Sequence, residues 1–136
     1  MVLRALLNFL SPTMSSNVQP INFEAVKSIS EGNALNGRNI VIVDVRGPDE
    51  FSAGSIPNAI NIPLPDLNQE LDLSPEAFKK KYHVDLPKPN SADTGIAVHC
   101  QMGGRAARAA NALESKGYTE NLYIYSPGWK EFSSKI

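Results

Sequence analysis

From Ile21 onward the chain alternates between two hydrophobic rhythms. Phe23, Val26 and Ile29 recur at helical spacing behind Asn22, a residue able to cap a helix start, and Glu31-Gly32-Asn33 stops the pattern. Asn39-Ile-Val-Ile-Val-Asp44 is instead an unbroken β-branched run bounded by Gly37 and Gly47. Such a run predicts a strand buried on both faces, hence parallel and central. Pro48 to Ala53 suits a short helix with proline in its first turn and Gly54 as its end, and Ile56-Pro57-Asn58 turns the chain into a second short strand, Ala59 to Ile62. Two further helical pieces follow, Pro65 to Leu71 and Ser74 to Tyr82, the latter opened by a serine cap and Pro75. Val84 to Thr94 reads as a loop, Gly95 to Val98 as an apolar strand, Ala106 to Lys116 as a helix ended by Gly117, and Asn121 to Tyr125 as the last strand. Strands alternating with helices imply an α/β fold whose mainly parallel sheet is covered on both faces.

The segment from Met1 to Gln19 follows neither rhythm and is expected to be a leader, leaving 20–136 as one domain. It carries Arg4, no acidic residue, and apolar Val2, Leu3, Leu6, Leu7 and Leu10. A mitochondrial presequence and a disordered leader, bypassed by starting at Met14, are both consistent with it. The protein is accordingly expected in the cytoplasm or the mitochondrion. With 136 residues the chain suits one ordinary domain, and a net charge of −1 spread along it argues for neither a nucleic acid nor a membrane partner. One cysteine excludes an intrachain disulfide, and with only His83 and His99 beside it no metal set is expected.

That lone cysteine is where the chemistry concentrates. Cys100 stands between the apolar strand and the Ala106 helix, in His99-Cys-Gln-Met-Gly-Gly-Arg105. The paired glycines Gly103 and Gly104 permit a tight ring in which the N–H groups of Gln101, Met102, Gly103, Gly104 and Arg105 face the sulfur. The following helix adds the positive end of its dipole, and Arg105 a full charge, so the thiolate is favoured. Four residues separate Cys100 from Arg105, one fewer than in the loop with which cysteine phosphatases cradle phosphate, and a shorter ring fits a smaller guest. A cysteine phosphatase or arsenate reductase, and a non-catalytic binding or redox-sensing module, are the competing readings.

Asp44-Val-Arg46, Glu50-Phe51, Gly54, Ile56-Pro57, Ala59 and Asn61 resemble a signature of the rhodanese superfamily, and Cys100 to Arg105 resembles its active-site loop, closest in pattern to small single-domain thiosulfate sulfurtransferases, including glutathione-using ones. Three positions depart: Ser55 stands for the usual histidine, Pro127 for a glycine and Phe132 for a tryptophan in a closing motif that begins Gly128-Trp129. The resemblance implies a three-layer α/β/α domain without cofactor. It implies that Cys100 takes a sulfane sulfur from thiosulfate as a persulfide, held by the amides of Gln101, Met102, Gly103 and Gly104 and by Arg105, which is also able to meet the donor's oxyanion. The sulfur then passes to glutathione, a protein thiol or cyanide. Asp44 and Arg46 would support the site; the residues alone leave open whether they pair with each other, with Glu50 or with the loop. The Lys79-Lys80-Lys81 run is either a solvated face or an attractor for an anionic substrate. Neither the physiological acceptor nor the oligomeric state is fixed by the residues.

Overall fold

The computed structural model describes residues 17–136. In chain order the elements are strand β1 (Gln19–Pro20), helix α1 (Phe23–Ser30), strand β2 (Asn39–Asp44), helix α2 (Pro48–Ala53) and strand β3 (Ile60–Asn61). A 3-10 turn over Leu64–Asp66 then runs into α3 (Leu67–Leu71), followed by α4 (Pro75–Tyr82), β4 (Thr94–His99), α5 (Gly104–Ser115), β5 (Leu122–Ile124) and α6 (Gly128–Ser134). The described strands form one sheet in the order β1-β5-β4-β2-β3, with every pairing parallel.

Local chemistry accounts for the element ends. Asn22 Oδ1 accepts from the Ala25 N–H at 2.9 Å to open α1, and Ser74 Oγ accepts from Ala77 at 3.1 Å to open α4. Each removes one of the unpaired donors of a helix start. The sheet then divides two apolar layers. Val43, Ile96, Val98 and Leu122 pack with Leu67 of α3, Phe78 of α4 and Ala109 and Leu113 of α5. Ile42 and Tyr125 pack with Phe23 and Val26 of α1 and Phe132 of α6. The three-layer α/β/α arrangement expected from the alternating rhythms is present, and β4 lies at the middle of the sheet with Cys100 at its carboxyl end.

At the amino-terminal side the sheet takes in residues before those the rhythm indicated. Gln19 and Pro20 pair with Tyr123 and Ile124, and the Ile21 N–H donates to Ile124 O at 2.9 Å. Val18 packs against the larger apolar layer, and the Asn17 N–H reaches Glu114 Oε2 at 2.9 Å. Gln19 therefore belongs to the sheet rather than to a leader. A two-residue edge strand containing proline leaves no periodic trace, and proline is tolerated there because an edge has a side that needs no donor. The rest of the expected leader, residues 1–16, lies outside the described residues.

Candidate active site

Cys100 is the first residue past β4, and its side chain is buried. Its Sγ accepts two backbone hydrogen bonds, from Gly103 N at 3.0 Å and from Ala106 N at 3.3 Å. The second donor lies in the first turn of α5, where N–H groups have no partner within the helix and point out of its end. The ring expected from the sequence was to draw on the amides of Gln101 to Arg105. Of these only Gly103 bonds the sulfur, while Ala106, one residue beyond, was missed. The reason is geometric: with the helix beginning at Gly104, the sulfur sits over the end of its first turn and meets the third residue.

The loop owes its shape to a neighbour distant in sequence. The carbonyl of Cys100 accepts from Trp129 N at 2.9 Å and that of Gln101 from Lys130 N at 3.2 Å, so the unpaired donors that begin α6 hold the loop's carbonyls. This contact is closer than a side chain allows. Gly128 has φ +66, and a Cβ there would lie 2.3 Å from Cys100 O. Gly103 likewise has φ +108, with Ser126 O 2.9 Å from where a Cβ would be. Gly128 was visible in the sequence only as part of a closing motif; its bracing role was not.

Arg105 faces away from the role foreseen for it. Its Nη1 and Nη2 donate to Glu50 Oε1 and Oε2 at 2.7 and 3.0 Å, a bidentate pair whose side chains are 33% and 40% exposed. Gly47 N also donates to Glu50 Oε1, at 3.0 Å. The Arg105 hydrogen bonds first, then the Gly47 amide, hold the Glu50 carboxyl well below its ordinary 4.5, at about 2. The Glu50 carboxylate in turn raises Arg105, with Cys100 a smaller contributor. The fork expected to serve the sulfur and the donor's oxyanion is thus filled by Glu50, which ties the catalytic loop to the turn after β2. Glu50 was expected only as a position of the signature and as one partner open to Asp44 and Arg46.

Those two residues pair with each other. Arg46 Nε lies 3.0 Å from both carboxylate oxygens of Asp44, Nη2 donates to Oδ2 at 2.7 Å, and the Arg46 N–H donates to Oδ1 at 2.9 Å. Nη2 also donates to Gly54 O at 2.7 Å, and the guanidinium lies 5.4 Å from the Trp129 ring centre. Both side chains are buried, and the hydrogen bonds that Sγ accepts come from neither of them. The pair fixes α2 and Trp129 beneath the loop; breaking it by removing one partner would cost about 3 to 5 kcal/mol.

His99 is buried beside them, with Nδ1 3.1 Å from Cys100 O and Nε2 3.6 Å from Asp44 Oδ2. Among the described residues Nε2 has no hydrogen-bond partner. Burial lowers the imidazole's pKa, against the smaller upward pull of Asp44. Two hollows open on the surface of the described residues. One of about 430 Å³ is lined by Pro48, Asn61, Pro63, Asp66, Gln69, Glu70, Lys81 and Tyr82, at the same sheet edge as Cys100. Another, of about 460 Å³, lies at the opposite edge between the Leu71–Leu73 and Leu86–Pro89 segments, away from the chemistry. Of the lysine run, Lys79 pairs with Asp85 at 3.4 Å and Lys81 with Glu70.

Residues 28–135 match the family described as Rhodanese-like domain. The human protein named thiosulfate:glutathione sulfurtransferase is 36% identical over 94 residues, covering 69% of this chain and 79% of that protein. Its namesake in Saccharomyces cerevisiae is 36% identical over 113 residues, covering 83% and 76%. Among solved structures, the human single-domain sulfurtransferase TSTD1 superposes with a TM-score of 0.70 at 30% identity, covering 90% of this chain and 99% of that one.

Proposed function

The chain belongs to the rhodanese-like domain family, and on that premise we propose that it is a sulfurtransferase that moves a sulfane sulfur from thiosulfate, through a persulfide on Cys100, to a small thiol such as glutathione. The Cys100 thiolate attacks the outer sulfur of thiosulfate; a new S–S bond forms, the old one breaks, and sulfite leaves with its electron pair. The acceptor thiolate then attacks the outer sulfur of the persulfide, carries it away, and returns Cys100 to the thiolate. The bonds accepted by Sγ from Gly103 and Ala106 are the single observation that carries this reading. Backbone donors already aimed at the sulfur stabilise negative charge there without reorganising at the moment of reaction. The amides of Gln101, Met102 and Gly104 remain for the outer sulfur, and Arg105, joined to Glu50, contributes loop position more than free charge. The related names support thiosulfate as donor and glutathione as acceptor, and the reducing compartment such a thiol requires fits cytoplasm or mitochondrion.

The test is the mass of the intact protein after thiosulfate treatment. It gains one sulfur atom, the gain maps to Cys100, and cyanide removes it. A protein that gains nothing on Cys100 would sink the persulfide mechanism.

A further inference from the structure

We propose that the 430 Å³ hollow beside the catalytic loop is the acceptor site, taking the ammonium-bearing end of a small peptide thiol through Asp66 and Gln69. This rests on the sulfur-transfer reading above and adds to it the residues that choose the acceptor.

Position comes first. Asp44 is in register with both His99 and Asn61, so Cys100 lies level with Ile62, between Asn61 and Pro63 of the hollow's wall. β2 alone separates β4 from β3, and two inter-strand spacings put the hollow's β3 wall about 10 Å from the end of β4 that carries the sulfur. Both lie on the same face of the sheet, since Cys100 packs in the layer that Leu67, Phe78 and Tyr82 of α3 and α4 share. A peptide of two or three residues, at about 3.3 to 3.6 Å per residue, spans that distance with its thiol at Cys100. The volume, about 430 Å³, falls within the range of roughly 300 to 1,000 Å³ typical of small-molecule sites.

Charge then selects the end that enters. Glu70 accepts from both Lys81 Nζ and Tyr82 Oη, so its carboxylate is compensated. The exposed Asp66 carboxylate has no hydrogen-bond or salt-bridge partner among the described residues, and exposed Gln69 flanks it. The hollow therefore carries one uncompensated negative charge and meets an ammonium group favourably. Lys81 keeps donors for a neighbouring carboxylate. Cyanide, with neither group, draws nothing from these contacts.

The experiment compares glutathione with glutathione acetylated on its amino group, as acceptors for the wild-type protein and for Asp66→Asn, following sulfite release from thiosulfate. The wild type is expected to prefer free glutathione by about tenfold in kcat/KM, the scale of one charge-assisted hydrogen bond. Asp66→Asn brings the two acceptors within about twofold of each other. A wild type indifferent to acetylation, or an Asp66→Asn protein that keeps the preference, overturns the site. Sulfur loading of Cys100 without acceptor, read by mass on the same wild-type sample, separates the two failures. Loading without preference removes the acceptor site alone, whereas absent loading removes the sulfur-transfer reading.

Discussion

Glu50→Gln keeps the size of the side chain and its bond from Gly47 but discharges the bidentate partner of Arg105. A carboxyl held at about 2 instead of 4.5 corresponds to roughly 3 kcal/mol of stability in full linkage. The two side chains are 40% and 33% exposed, so solvent screens most of this and about 1 kcal/mol remains. Because the folded-state value is depressed, the contribution is fully present above pH 4.5 and is lost as the pH falls through about 2. Urea unfolding at pH 7 should therefore show Glu50→Gln less stable by about 1 kcal/mol, equivalent to a fall of roughly 4 °C in Tm. The gap should hold at pH 5.5 and narrow by pH 3.5. Equal stability of the two proteins at pH 7, or a gap that stays constant down to pH 3.5, would refute the reasoning, for then the ion pair would not be what joins the catalytic loop to the turn after β2.

Two more outcomes follow from the loop's surroundings. Gly128→Ala introduces a Cβ 2.3 Å from Cys100 O at φ +66 and should cost about 2 kcal/mol or more together with most sulfur transfer. Gly32→Ala, at φ +96 with nothing within 4 Å, should cost about 1 kcal/mol and keep transfer; equal effects in the two would show that the close approach to the loop is unimportant. His99→Gln should flatten the pH dependence of stability below the ordinary 6.5, because burial lowers the folded imidazole's pKa, so the unfolded chain takes up its proton first and stability falls with pH, by at most about 1.4 kcal/mol per pH unit. Urea unfolding between pH 7 and 5 measures this, and parallel curves for wild type and variant would contradict it.

The sequence by itself determined most of the scaffold, because its signals act over a few residues. The β-branched run from Asn39 to Asp44 had to be buried on both faces, Asn22 and Ser74 each cap the helix that follows, and the cysteine-glycine-arginine spacing placed a nucleophile between a strand and a helix start. The pairings that decide how that nucleophile is held were not legible. Glu50 and Arg105 are 55 positions apart and meet only because β2 and β4 are neighbours, so Arg105 could be read as a partner for the sulfur when its fork is filled by a carboxylate. Gly128 stood in the sequence only as part of a closing motif, whereas α6 presses on Cys100 O, and Gln19 was expected in the leader, whereas the sheet edge beside β5 gives it a place. Local propensity fixes where helices and strands begin, but a hydrogen-bond partner across the sheet is chosen by strand order and register, which depend on how the whole set of apolar faces is covered.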